Sequence, residues 1–229
     1  MRPKQILKMI IDILMTVVLL LLIGYSLVGE MIHEWLGIGM FALFILHHVL
    51  NSAWLRNVLK GKYTPFRILQ TVLVALMFIS IMGSVVSGVI LSRHALSFLP
   101  ITGGRSWART VHILCAYWGF VFLSLHLGLH WNMIMGMAKR MWKKPSATRA
   151  WIVRMIGFMI AAYGIYAFHK REIGSYMFLR NQFVFYDFDE PFILFLLDCI
   201  AIMGLFVLIG HYLGRLCSRK KEKTMSRSD

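Results

Sequence analysis

Six long apolar stretches constrain this chain more than any other feature. They cover roughly residues 6–28, 31–50, 68–91, 108–137, 151–168 and 191–213. Twenty residues at a helical rise of about 1.5 Å cross the ~30 Å hydrocarbon core of a bilayer. Helices are expected, because an isolated strand in lipid would leave its backbone groups unpaired. The first stretch is too long for a signal-peptide core and lacks a small-residue cleavage pattern, so it is expected to be retained. The expected fold is therefore an all-α integral membrane protein with six transmembrane helices.

Composition agrees. Of 229 residues, 59% are hydrophobic and 15% charged, against about 25% charged in a soluble domain. Mean hydropathy is +0.68. An ordinary water-soluble enzyme, a disordered tail and a secreted disulfide scaffold are excluded. Cys115, Cys199 and Cys217 are scattered, with no Cys-x-x-Cys and no Cys-x-x-Cys-His. That argues against a disulfide framework, a thiolate zinc site and covalently attached c-type haem.

The net charge of +15 reads as topogenic rather than as a nucleic-acid footprint, because it sits in short loops between spans. One side would hold the N-terminus, the loops 51–67 and 138–154 and the C-terminal tail, with 19 Lys and Arg; the other holds six, Arg93, Arg105, Arg109, Lys170, Arg171 and Arg180. This bias places both termini in the cytoplasm. Six of the ten acids (Glu30, Glu34, Glu172, Asp187, Asp189, Glu190) fall on the outer side.

The second and fourth spans repeat a pattern. His33 and His47 enclose thirteen residues, and so do His112 and His126. The preceding spans echo one another too, Ile13-Leu14-Met15-Thr16 against Ile68-Leu69-Gln70-Thr71. A hairpin repeated twice would make a four-helix core, with the last two spans as an added hairpin. A step of fourteen residues turns about 1400°, about 40° short of four full turns, so both histidines of a pair share one face, ~21 Å apart along the axis. Both helices run outside to inside. His33 and His112 then meet at the outer level, and His47 and His126 at the inner level.

Ionisable groups inside a membrane are costly and mark function by default. An imidazole pair facing across a bundle can supply both axial ligands of an iron porphyrin, whose chelate provides the equatorial plane. Two such pairs would hold two bis-histidine b-type haems at two depths. His48 is the alternative to His47, at a spacing about 60° past four turns. Gly37, Gly39, Gly119, Gly128 and the run Gly83-Ser84 with Ser87-Gly88 flank the ligands. They either give a flat ring room or pack helices closely. Arg93, Arg105 and Arg109 at the outer end, and Arg56, Lys60, Arg67 and Lys139 at the inner, are either propionate partners or topogenic charge.

Other polar residues have two readings each. His130 either binds a propionate, lines a quinone pocket or snorkels. His94 either serves a propionate or partner at the outer mouth or is solvated; His169 and His211 end helices and read as solvated. Asp12 is one turn from Lys8, its expected partner. Asp198 either relays protons or pairs with another helix. Trp35 and Trp118 lie near the outer histidines, where a ring edge would accept them. Tyr25, Trp54, Tyr63, Trp107, Trp131, Trp142 and Trp151 fit an interfacial belt.

Over roughly residues 6–140 the chain resembles the flavinylation-associated cytochromes, bacterial membrane proteins of cytochrome-b-like four-helix architecture. The matching stretches are His33-Glu34-Trp35-Leu36-Gly37, Phe44 through His47, His48 and Asn51, Gly88 through Arg93 and His94, and Tyr117 through His126 to His130. The hairpin with Tyr186 through Asp187, Asp189 and Glu190 to Pro191 looks like a version with two added spans. The resemblance implies haem b at His33, His47, His112 and His126, and passage of electrons across the bacterial cytoplasmic membrane to an extracytosolic flavinylated protein. A quinol or a cytoplasmic reductase would be the donor. The implied division is a four-helix haem domain at 1–140, an added hairpin at 141–214 and a basic cytoplasmic tail at 215–229. No Gly-rich dinucleotide fingerprint, iron–sulfur Cys cluster or flavin-acceptor run occurs, so the chain is expected to be an electron-transfer component rather than a stand-alone enzyme. Two other readings compete. His126-x₃-His130 suggests a membrane di-iron enzyme, but the further His boxes such enzymes need are missing. A non-redox transporter or anchor whose histidines bind a metal or protons is the third.

Overall fold

The computed structural model describes residues 3–139, 146–181, 183–184 and 189–225, with side chains for all of these but 26, 138–139 and 219–225. The helices in chain order are α1 (Pro3–Ile23), α2 (Tyr25–Val28), α3 (Glu30–Leu50), α4 (Ser52–Asn57), α5 (Pro65–Leu91), α6 (Arg105–Leu129), α7 (Trp131–Lys139), α8 (Ala147–Lys170), α9 (Ile173–Met177) and α10 (Phe192–Met225). No strand occurs among the described residues. Helices α1, α3, α5, α6, α8 and α10 as far as Ser218 are long and apolar enough to cross a membrane. This is an all-α, multi-pass membrane protein. Trp142, Tyr186, Asp187, the Lys139 side chain and the 140/141 boundary lie outside what is described.

Helix ends differ from the sequence reading for local reasons. The first stretch breaks at Gly24, where φ −83° and ψ 37° leave the helical region. Its N–H turns to the Leu21 carbonyl three residues back. A Cβ there would stand 3.3 Å from the Phe195 ring. Gly29, at φ +81°, then makes the turn into α3, a conformation that favours glycine. In the fourth stretch α6 ends at Leu129, not near 137. The His130 N–H to His126 carbonyl bond is long, 3.3 Å, and Met133 N–H bonds back to His130 over three residues, which starts α7. Helix α8 begins early because Ser146 caps it, its Oγ accepting from the Arg149 N–H at 3.3 Å. Helix α10 runs on to Met225, so the basic tail starts as helix.

The chain forms two compact units. The first comprises Met1–Gly61, Ile79–Trp118 and Ser175–Leu196; the second comprises Lys62–Phe78, Gly119–Gly174 and Leu197–Asp229. Helices α5 and α6 each contribute to both. In the first unit α1 packs along α3, burying Ile11, Met15, Met40 and Phe44. The second is built on α10, whose backbone approaches α6 and α8. A Cβ on Gly128 of α6 would strike the Val207 carbonyl, and one on Gly164 of α8 the Ala201 carbonyl. A Cβ on Gly204 would meet Ile160 at 2.7 Å. Close contact through small residues is how helices associate where lipid removes the hydrophobic drive. Gly128 therefore serves helix packing rather than room for a ring.

Candidate functional site

His33 of α3 and His112 of α6 come together in the first unit, with ring centres 6.0 Å apart and planes at 68°. His112 Nδ1 lies 3.1 Å from the Ser84 carbonyl and 3.0 Å from Ser87 Oγ. Ser87, fully buried, donates its own proton to the Gly83 carbonyl at 2.6 Å. With that proton engaged, the hydroxyl accepts from His112. The Nδ1 of His112 thus carries the hydrogen, and Nε2 keeps the lone pair. Metal-binding histidines are typically held this way, through the other ring nitrogen. Gly88, one turn from Ser84, lies flat against the His112 ring; a Cβ there would sit 3.5 Å from Cε1. Gly83 instead makes room for the Cys115 thiol. The small-residue run of α5 packs helices at Gly83, as one of the two readings had it, and at Ser84, Ser87 and Gly88 it does something neither reading named: it holds the His112 ring.

His33 packs edge-on against Tyr25 at 5.0 Å, and its Nδ1 is buried without a hydrogen-bond partner among the described residues. Such a group normally finds a partner. Imidazole nitrogens sit about 2 Å from a bound metal, and the ring centre about 1 Å further back, so coaxial rings on one metal are ~6 Å apart. The separation observed matches. An added Cβ on Gly37, one turn from His33, would meet nothing within 4 Å. On donor set, spacing and the unpartnered nitrogen, the residues present fit a bis-imidazole haem.

Glu34, beside His33, takes a role the sequence did not disclose. Its carboxylate accepts from Ser92 Oγ (2.7 Å) and from the backbone N–H groups of Arg93 (2.8 Å), His94 (3.0 Å) and Ala95 (2.7 Å). It caps the chain leaving α5 and ties it to α3. Glu30 pairs with Arg93 at 3.5 Å and stands 4.0 Å from His94. Glu30, Glu34 and His94 are close enough to suggest a metal site. Because Glu34 is held by four donors and Glu30 faces a guanidinium, the group reads as an ion-pair and capping cluster. Arg105 and Arg93 line one outer pocket with Ser92, Ser97 and Thr102. Arg109 lies over the Phe183 ring at 5.6 Å.

His47 is held by Asp12, which the sequence had paired with Lys8. Its Nδ1 is 2.8 Å from Asp12 Oδ1. Lys8, expected to pair with Asp12, donates instead to Asn51 Oδ1 at 2.8 Å. Asp12 bridges α1 to α3, because a long lysine reaches the helix end while the short carboxylate meets the ring level with it. His48 Nδ1 lies 3.0 Å from the Phe44 carbonyl of its own helix. His126 belongs to the second unit, where its ring lies 4.7 Å from His130, and Gln70 Nε2 stands 3.5 Å from His130 Nε2. His47 and His126 fall in different units.

Asp198, 1% exposed, binds Tyr163 Oη (2.6 Å), Lys170 Nζ (2.9 Å) and Arg171 Nε (2.8 Å). Pairing with another helix is thus the reading its geometry supports. Trp118 donates to the Met177 carbonyl at 2.9 Å, and Trp35 is 59% exposed. Compared with protein-family models, curated proteins and solved structures, the chain matches none. The site must be argued from its own residues. Two of them, Asp12 and Glu34, carry only a weak sequence signal: an acid inside or at the mouth of an apolar span.

Proposed function

We propose that the chain is a membrane b-type cytochrome that carries electrons across the bilayer. His33 and His112 would hold one haem, and His47 and His126 a second. The observation that carries this reading is the 6.0 Å imidazole pair, with His112 held through Nδ1 by Ser84 and Ser87. When bound, haem supplies a reversible one-electron iron couple. The chain's own part is to present two neutral imidazoles, fix the His112 tautomer and keep water away within apolar spans. Arg105 and Arg109, near the start of α6, would face the propionates; Arg93 is shared with Glu30. The second pair rests on the repeat alone; His47 has its Nδ1 on Asp12 at 2.8 Å and its Nε2 3.5 Å from the Asn51 amide.

Charge bias supports a bacterial cytoplasmic membrane location with both termini inside. The resemblance to flavinylation-associated cytochromes supports an extracytosolic flavinylated acceptor and a quinol or cytoplasmic reductase as donor. The test is a reduced-minus-oxidised spectrum with a pyridine haemochrome assay on the purified protein. Two low-spin b-type haems per chain are expected, and His112→Ala should remove one. A wild-type protein that stays colourless after haem supplementation overturns the reading.

A further inference from the structure

The end of α5, the loop after it and the start of α6 enclose a cavity of about 330 Å³, all of it within the first unit. Both helices are long and apolar enough to cross a membrane, α5 ending at Leu91 and α6 beginning at Arg105. The cavity therefore lies where hydrocarbon meets water. Its size is at the lower end of the range for small-molecule sites. Part of the lining is apolar, built from Ile90, Leu96, Leu99 and Ile101. The rest carries Arg93 and Arg105, and no carboxylate lines it among the described residues. Some of its polar groups are already engaged. Ser92 gives its proton to Glu34 at 2.7 Å, and Ser97 gives its own to the His94 carbonyl at 3.0 Å. Arg93 stands 3.5 Å from Glu30 through Nε alone. Among the described residues Arg105 has no ion-pair partner and the Thr102 hydroxyl no hydrogen-bond partner. Two guanidinium groups and one hydroxyl remain as donors. That set suits an oxyanion, and phosphate offers a guanidinium two parallel bonds.

Phe98, between two lining residues in sequence, and Trp107, next but one to Arg105, are exposed. Exposed aromatic rings beside cations at the end of a span fit a segment lying in the headgroup layer. These arginines also stand on the side with six Lys and Arg against 19, so the charge rule that sets topology does not account for them. We propose that this cavity is a phosphate site, and that its apolar lining makes the headgroup of an anionic phospholipid the source of the phosphate. Arg93, Arg105 and Thr102 hold the headgroup, and Ile90, Leu96, Leu99 and Ile101 take the start of an acyl chain. A free phosphate ion shares the headgroup's chemistry but has no use for that apolar lining. The site stands apart from the proposed haems; Arg105 is the one residue the two readings share.

The test is native mass spectrometry of the purified full-length chain, titrated with phosphatidylglycerol, phosphatidylcholine or inorganic phosphate. One phosphatidylglycerol per chain is expected to bind about tenfold tighter than phosphatidylcholine, whose own ammonium offsets its phosphate. Arg105→Gln removes a charge-assisted donor and should weaken phosphatidylglycerol about tenfold. Arg154→Gln, the same loss of charge at an exposed position of α8, should leave it unchanged. Should Arg105→Gln purify poorly, Thr102→Glu, which brings a carboxylate to the cavity, is read in the same way. Inorganic phosphate that binds as tightly as the lipid, and is lost in the same variants, keeps the phosphate site and overturns the lipid as its source. Equal losses in Arg105→Gln and Arg154→Gln, or no loss in Arg105→Gln and Thr102→Glu, overturn the inference. So does an Arg105→Gln protein that keeps its lipid affinity but changes its haem spectrum, a result that gives Arg105 to a propionate. A wild-type chain that binds phosphatidylglycerol but no haem overturns the proposed function and leaves this inference standing.

Discussion

One buried polar cluster in each unit shows two ways of handling polarity inside apolar helices. In the second, Asp198 is closed: it has a phenol, an ammonium and a guanidinium on it. In the first, His112 is held through Nδ1, and the Nδ1 of His33 beside it is buried without a partner among the described residues. A fully paired polar group ties helices together. One left with spare bonding capacity costs free energy unless something binds there. The contrast marks Asp198 as a tie between helices and, under the proposed function, the His33–His112 pair as the group left to bind.

Four substitutions test that contrast. Gly128→Leu drives a side chain into the α10 backbone and should cost more than about 3 kcal/mol, seen as loss of monodisperse protein in detergent. Gly37→Ala in the first unit should be neutral or slightly stabilising, because nothing lies within 4 Å and alanine favours a helix by up to about 1 kcal/mol. Equal losses at the two glycines would erase the distinction. Asp198→Ala leaves Arg171, 13% exposed, without its partner, and should cost about 3–5 kcal/mol in thermal unfolding while sparing any bound haem's spectrum. A changed spectrum with unchanged stability would move Asp198 from scaffold to site. Glu34→Ala removes the acceptor of four hydrogen bonds and should cost about 1–3 kcal/mol. Because it loosens α3 from the end of α5, it should also broaden the low-spin signal of any haem that His33 and His112 hold. A stable variant with an unaltered signal would show that α3 is placed by its packing on α1 alone.

Much of this protein was legible from its residues. Runs of apolar residues long enough to span lipid admit only helices, so the all-α class and the six spans follow from backbone hydrogen bonding. The equal thirteen-residue enclosures pick out His33 and His112 because helical periodicity is rigid. Partner choice was not legible in the same way. Lys8 was the near cation for Asp12 along the chain, yet the carboxylate reaches across to His47, a contact set by how α1 lies on α3. Glu34 counted only as an outer-side acid, and its four donors come from residues 92–95, nearly sixty positions away. Nor did the glycines sort themselves: Gly83, Gly88 and Gly128 share one composition signal and meet a thiol, an imidazole and a neighbouring backbone.

What the sequence determined by itself is everything with a fixed period or a fixed length, because helix geometry and bilayer thickness are the same wherever the chain goes. Which side chain answers each buried polar atom was decided only by the tertiary structure. That choice depends on contacts of a few ångströms between helices distant in sequence, and no local pattern encodes them.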